Sequence, residues 1–342
     1  MRPVHELKPI SEDRPDDLFI TCASFEDRCL GVTAVGAAYR SRETALIRFI
    51  SSKPNAALDR LRKSHLDAME RYLSPRSERL AVIECERHNP FSLAEQARDR
   101  LDFWDKPAMS VTIDLSCFTR LQLLFVLKQF LGRGNFRLRL LYSKATYYAS
   151  LERKELGSGY DRIVILPFNA AGEVEPLMEE NVLVASLGHE GGRALNAWRY
   201  LDPRHTILIE PHSPEAPDLL AVTKRQNRVL LDKLSIGHPG FEGVPLPATD
   251  IAAARKRFVD VLQRCEERPM PRAVYFTPGG PKPIAAGFAL AALRSNVSVY
   301  VADPPPTDYS AGYSVGFSGM YQYSIRVQND ASELVTLPTA RS

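Results

Sequence analysis

Leu18–Arg28 reads LFITCASFEDR, and Val182–Arg193 reads VLVASLGHEGGR. Each is a short apolar run that closes on small residues and then gives an acidic residue and an arginine, the pattern of a buried strand running into a turn and a helix start. Glu26 and Glu190 stand 164 positions apart. The pairing continues in order. ALIRFISSKP (Ala45–Pro54) matches TILIEPHSP (Thr206–Pro214), VTIDLSCFTR (Val111–Arg120) matches AVYFTPGGPK (Ala273–Lys282), and LRLLYSKATYY (Leu138–Tyr148) matches VSVYVADPPPTDY (Val297–Tyr309). The separations stay between 161 and 164, down to the expected closing strands Ile163–Leu166 and Ser324–Val327. Self-similarity at a fixed offset signals internal duplication.

Between the matched strands lie helical stretches such as LQLLFVLKQFL and PIAAGFALAAL. Continuous apolar strands alternating with helices belong to a parallel sheet covered on both faces. The expected fold is α/β: two tandem Rossmann-like, doubly wound parallel-sheet units related by internal duplication, a pseudo-twofold arrangement. The boundaries read as a tail at 1–17, one repeat over 18–170, a second over 178–332 and a tail at 333–342, with PFNAAGEVEP (Pro167–Pro176) as linker. The weak match is the third strand. Leu80–Ile83 supplies it in the first copy, while the second offers only the proline-broken FEGVPLP around Phe241.

The 342 residues suffice for two cores, and 44% apolar with 25% charged residues describe a folded globular chain. A net charge of +3, from 44 basic and 41 acidic residues, argues against coating duplex nucleic acid. Five cysteines without a CxxC pair argue against a disulfide framework or a zinc site, so no metal and no cofactor are expected. The polar start MRPVHELKPISEDRPDD is no signal peptide and no run is long enough to cross a membrane, which makes the cytoplasm the expected compartment.

Open parallel sheets bind ligands beyond the carboxyl ends of their strands, where the strand order reverses. That rule selects Ser24, Glu26 and Arg28 after strand one, with Ser116 and Arg120 after strand four. In the second copy it selects Gly188, His189, Glu190 and Arg193, then Thr277, Gly279, Gly280 and Lys282. The TPGGPK loop suits a phosphate through close backbone approach, a helix N-terminus and the Lys282 charge; as a proline-rigid turn with a solvated lysine it would need no ligand. Glu26 and Glu190 fit a catalytic role, or equally first-turn complementarity with their arginines. His189 fits a base or a polar loop residue. Tyr147, Tyr148, Tyr309 and Tyr313 are placed to stack a base or to pack one copy on the other. Lys224, Arg225 and Arg228, like Arg60, Arg62 and Lys63, read as solvated faces. GxGxxG, Walker, HExxH and GxSxG motifs do not occur.

The strand–TPGGPK–helix element resembles the lysine-bearing loop of CRISPR-associated Rossmann-fold (CARF) sensor domains, and two such units in one chain look like the SAVED domain of anti-phage signalling. Gly279, Gly280 and Lys282 match in letter; Asp114 and Ser116–Arg120 lack the glycine pair. The resemblance implies a sensor for a cyclic or linear oligonucleotide messenger, bound in a cleft between the repeats. It leaves no residues for a fused effector, so a separate effector partner is expected. The alternatives are a metal-independent phosphodiesterase or nucleotide hydrolase using Glu190, and a scaffold.

Overall fold

The computed structural model describes residues 3–11, 13–50, 55–86, 89, 91–104, 110–132, 134–148, 163–169, 181–214, 216–237, 240–267, 273–303 and 314–327. Contacts divide the chain into two units, Met1–Ala149 with Asp308–Ser342, and Ser150–Thr307.

In the first unit, strand β1 (Asp16–Ala23) leads through a tight turn to the short helix α1 (Gly31–Val35). Then come β2 (Ser41–Ile50), α2 (Ala56–Leu73), β3 (Ser77–Glu86), α3 (Ser92–Arg98), β4 (Ser110–Asp114), α4 (Arg120–Leu131), β5 (Phe136–Lys144) and the two-residue β6 (Tyr147–Tyr148). The second unit runs β7 (Val164–Asn169), β8 (Val182–Ser186), α5 (Gly191–Leu201), β9 (His205–His212), α6 (Asp218–Gln226), α7 (Arg228–Gly237), β10 (Phe241–Pro247), α8 (Ile251–Glu266), β11 (Val274–Thr277), α9 (Lys282–Ala292) and β12 (Val299–Asp303). The chain closes with β13 (Ser314–Val315) and β14 (Gly319–Val327).

The two sheets have one order. The first is β3-β2-β1-β4-β5-β14 and the second β10-β9-β8-β11-β12-β7, each parallel except for its last strand. The α/β fold with two Rossmann-like units follows directly, and in each sheet the order reverses between the first and fourth strands of the repeat.

The closing strands are where sequence order misleads. Ile163–Leu166 was expected to finish the first copy, yet β7 pairs antiparallel with β12 of the second sheet, Val301 opposite Leu166. In turn β14 pairs antiparallel with β5 of the first sheet, Ile325 opposite Leu138. The two repeats exchange their last strands, so 18–170 and 178–332 are not the spatial units. Similar edges accept either strand, because both copies offer the same alternation to a neighbour. Asn169 pins the exchange: its amide donates to the Ala292, Ser295 and Val297 carbonyls, at 2.8, 3.0 and 3.1 Å, and its Oδ1 accepts from Val299 N–H at 2.7 Å.

FEGVPLP does form a strand. As β10 it lies at the edge of its sheet, where Pro245 and Pro247 forfeit no ladder bond that a central strand would need. Capping follows the sequence too. Asn55 accepts from the Ala57 and Leu58 amides, Thr119 from Gln122, and Asp250 from Ala253. Helix α9 is buried from Pro283 to Ala292, apolar all round as an enclosed helix must be, with Phe288 packed among Phe168, Phe258 and Phe276. Among the described residues no helix is long and apolar enough to cross a membrane.

Candidate functional site

Each carboxyl rim is described within its own unit. In the second, β8 ends at Ser186 and β11 at Thr277, and the loops that follow pack backbone against backbone. A Cβ on Gly188 would stand 2.5 Å from the Gly280 nitrogen, and one on Gly279 would collide with the Ser186 carbonyl oxygen. Gly280 has φ of +61°, which side-chain-bearing residues rarely adopt. The glycine pair therefore fits β8 against β11 whether or not a ligand binds. Thr277 is equally committed, its buried hydroxyl donating to the Ala302 carbonyl at 2.8 Å. It ties β11 to β12 and does not point at a ligand.

Lys282 opens α9 and is half-buried. The helix end is poorer in donors than the sequence suggested. Pro283 has no N–H, and the Ile284 amide donates to the Pro281 carbonyl at 3.2 Å. A phosphate here would be met chiefly by Lys282.

Glu190 and Arg193 form a buried cluster. Glu190 Oε2 accepts from Arg193 Nε at 3.0 Å and Nη2 at 2.9 Å, while Arg193 Nη1 donates to Asp303 Oδ1 at the end of β12. The side chains of all three are at most 7% exposed. Glu190 is thus an anion partner of an arginine. His189 is half-buried beside it. Gly188 is held from outside by Asn227, whose amide donates to its carbonyl at 2.8 Å. Neither Asp303 nor Asn227 carries a signal in sequence, since each reaches the rim from another element.

The first rim is built alike but closed. Asp114 to Phe118 are all buried, so Ser116 serves the interior: its hydroxyl accepts from Ser143 N–H at 2.7 Å and donates to Asp114 Oδ1. Asp114 also accepts from the Ser116 amide at 3.0 Å and the Thr21 hydroxyl at 3.3 Å. Burial pushes the Asp114 carboxyl up, while Ser116, Thr21 and the Arg28 charge draw it back. Arg120 begins α4, half-buried.

After β1, Glu26 Oε2 accepts from Arg28 Nε at 3.2 Å and from Nη2, repeating the Glu190–Arg193 pairing. Ser24 caps the turn through its hydroxyl, which accepts from Glu26 N–H at 3.4 Å, and its carbonyl lies 2.7 Å from His65 Nδ1 on α2. Arg62, one turn before His65, lies over the Phe25 ring at 5.5 Å and is not a solvated face. Lys224, Arg228 and Arg62 all hold carboxylates, Glu210, Asp232 and Asp59. Tyr309 and Tyr313 lie outside the described residues; Tyr147 and Tyr148 enter as backbone, pairing with Val315 and Ser314.

No known family profile and no curated relative matches the chain. Among solved structures, a Type III CRISPR defence DNA nuclease activated by cyclic oligoadenylate matches 84% of this chain over 65% of its own, at 11% identity and a TM-score of 0.49. The chain thus spans under two thirds of that nuclease. A functionally unknown protein from Pseudomonas aeruginosa PAO1 matches at 10% identity, with 84% of this chain and 92% of its own covered and a TM-score of 0.22. The cytoplasmic domain of a prokaryotic cation chloride cotransporter matches at 9%, over 85% and 96%, also at 0.22. The chemistry of the rims is read from their own side chains.

At both rims the acidic residue nearest the first helix is paired with an arginine, and Lys282 stands at the start of α9. The free cysteines are buried and hold no disulfide.

Proposed function

We propose that the chain is a sensor for a nucleotide second messenger, a cyclic or linear oligonucleotide, held at the carboxyl rim of the second unit and signalled to a separate effector chain. The observation that carries the reading is the commitment of both rim glutamates to arginines. A general acid or nucleophile must have an oxygen open to its substrate, whereas in each of these glutamates Oε2 takes two donors of one arginine. That favours binding over turnover. Lys282 at the start of α9 supplies the positive charge for a phosphate, in keeping with the resemblance of the TPGGPK loop to the CARF sensors.

The test is a thermal-shift screen against cyclic di-, tri-, tetra- and hexanucleotides, in which a ligand at 100 times its dissociation constant raises stability by about 2.7 kcal/mol. For the ligand found, Lys282→Ala removes one charge-assisted contact of about 1.5–3 kcal/mol and weakens binding by about one to two orders of magnitude, with folding unaltered. Glu190→Gln should keep the affinity. Multiple-turnover cleavage of the messenger, abolished by Glu190→Gln, would overturn the sensor reading in favour of a phosphodiesterase.

A further inference from the structure

Helix α7 turns one stripe inward and leaves the opposite one bare. Leu230 and Leu234 are buried in one cluster with Ala194, Ala197 and Leu201 of α5, which fixes the rotation of α7 about its axis. Its start is fixed as well, by the Asn227 amide on the Gly188 and Thr223 carbonyls, both at 2.8 Å. Facing away from that core are Val229, Asp232, Lys233 and Ile236, at steps of three, four and seven residues, the spacing that puts side chains on one helix face. All four are exposed, Val229 to 54% and Ile236 to 85%. A single exposed apolar side chain is ordinary. Among the described residues, α7 is the one helix with two large ones more than half exposed.

The order of the four residues is self-complementary. Val229 and Ile236 lie symmetrically about the midpoint between Asp232 and Lys233. A second α7 laid antiparallel across the first, with a twofold axis through that midpoint, sets Val229 against Ile236 of the second copy, twice, and Asp232 against Lys233 of the second copy, twice. Asp232 already takes Arg228 Nε at 3.2 Å, but the two side chains are 59% and 79% exposed, and so exposed a pair does not hold the carboxylate back from another cation.

We propose that the outer face of α7 is a twofold self-association surface, and that its occupant is a second copy of this chain. The apolar pair supplies the burial and the charged pair the register. A parallel partner would bring Asp232 against Asp232 and Lys233 against Lys233, which like charges disfavour. One ten-residue helix per copy makes a small interface, so the dimer is weak and depends on concentration. The inference stands apart from the nucleotide reading, since it uses no residue of either rim.

Sedimentation equilibrium of the full chain from about 1 to about 200 μM tests it, the range over which a small interface fills. The chain should pass from monomer towards dimer, and Ile236→Glu should weaken the dimer by about tenfold or more, because it puts a charge into the apolar contact. Two charge variants test register and occupant together. Lys233→Glu sets acid against acid twice and Asp232→Lys sets lysine against lysine twice, so each alone should associate about tenfold more weakly than the parent. Mixed in equal amounts they restore both opposite-charge contacts, and a mixed dimer should form with the parent's affinity. A folding defect in either variant cannot produce that rescue. A parent that stays monomeric throughout the range would overturn the proposal and leave the face to a different chain. A dimer that Ile236→Glu leaves intact, or a mixture that associates no better than either charge variant alone, would overturn it too.

Discussion

Replacing Arg193 by methionine removes the cation that Glu190 and Asp303 share. In the native chain Arg193 donates to Glu190 Oε2 through Nε at 3.0 Å and Nη2 at 2.9 Å, and through Nη1 to Asp303 Oδ1, with the three side chains at most 7% exposed. Deleting one partner of a buried ion pair costs about 3–5 kcal/mol. The two carboxylates are then buried together without their arginine, and like charges in one low-dielectric site cannot both ionise at their usual pH. At least one must titrate above the unfolded value of about 4. A group whose folded pKa is raised binds more protons folded than unfolded, so its contribution is fully present below the unfolded pKa and is lost as pH rises through the folded one. The deficit of Arg193→Met against the parent should therefore be about 3–5 kcal/mol near neutrality and shrink as the pH falls towards the unfolded value. Urea unfolding followed by circular dichroism across that range measures it. A deficit under about 1 kcal/mol, or one that ignores pH, would show that the ion cluster does not hold the loop after β8.

Two further variants probe the rims. Gly280→Ala puts a Cβ against the Leu187 carbonyl oxygen at a φ of +61°, and should lower stability by about 1–3 kcal/mol in thermal unfolding; an unaltered midpoint would mean that the loop re-forms without the close approach. Asp114→Asn keeps the shape and the Ser116 bonds but cannot ionise. Since burial raises the Asp114 pKa, the parent carries a cost that grows as pH climbs above the unfolded carboxylate value, so the variant should gain on the parent between mildly acidic and neutral pH. A pH-independent difference would contradict that account.

The rims were half legible in the sequence. Strand ends and helix starts locate Glu26, Arg28, Glu190, Arg193 and Lys282, because residues next to one another in the chain share a turn. The partners that give them their roles come from elsewhere: Asp303 from β12, Asn227 from the break between α6 and α7, His65 from α2, Ser314 from β13. The second-copy glycines looked like ligand contacts, since the need for a bare backbone is the same whether phosphate or another strand approaches it.

By itself the sequence determined the α/β class with two Rossmann-like units and the strand order around each switch point. These follow from apolar runs, turn residues and helix periodicity, which act over a few residues and repeat at a fixed offset. Only the tertiary structure decided which sheet each closing strand joins. Both edges offer the same unpaired hydrogen bonds and alternation to β7 and β14, so local pattern cannot choose between them; the choice lies in long-range contacts such as Asn169 on the carbonyls at and after the end of α9, and Ser314 and Gly316 on Glu26 and Asp27.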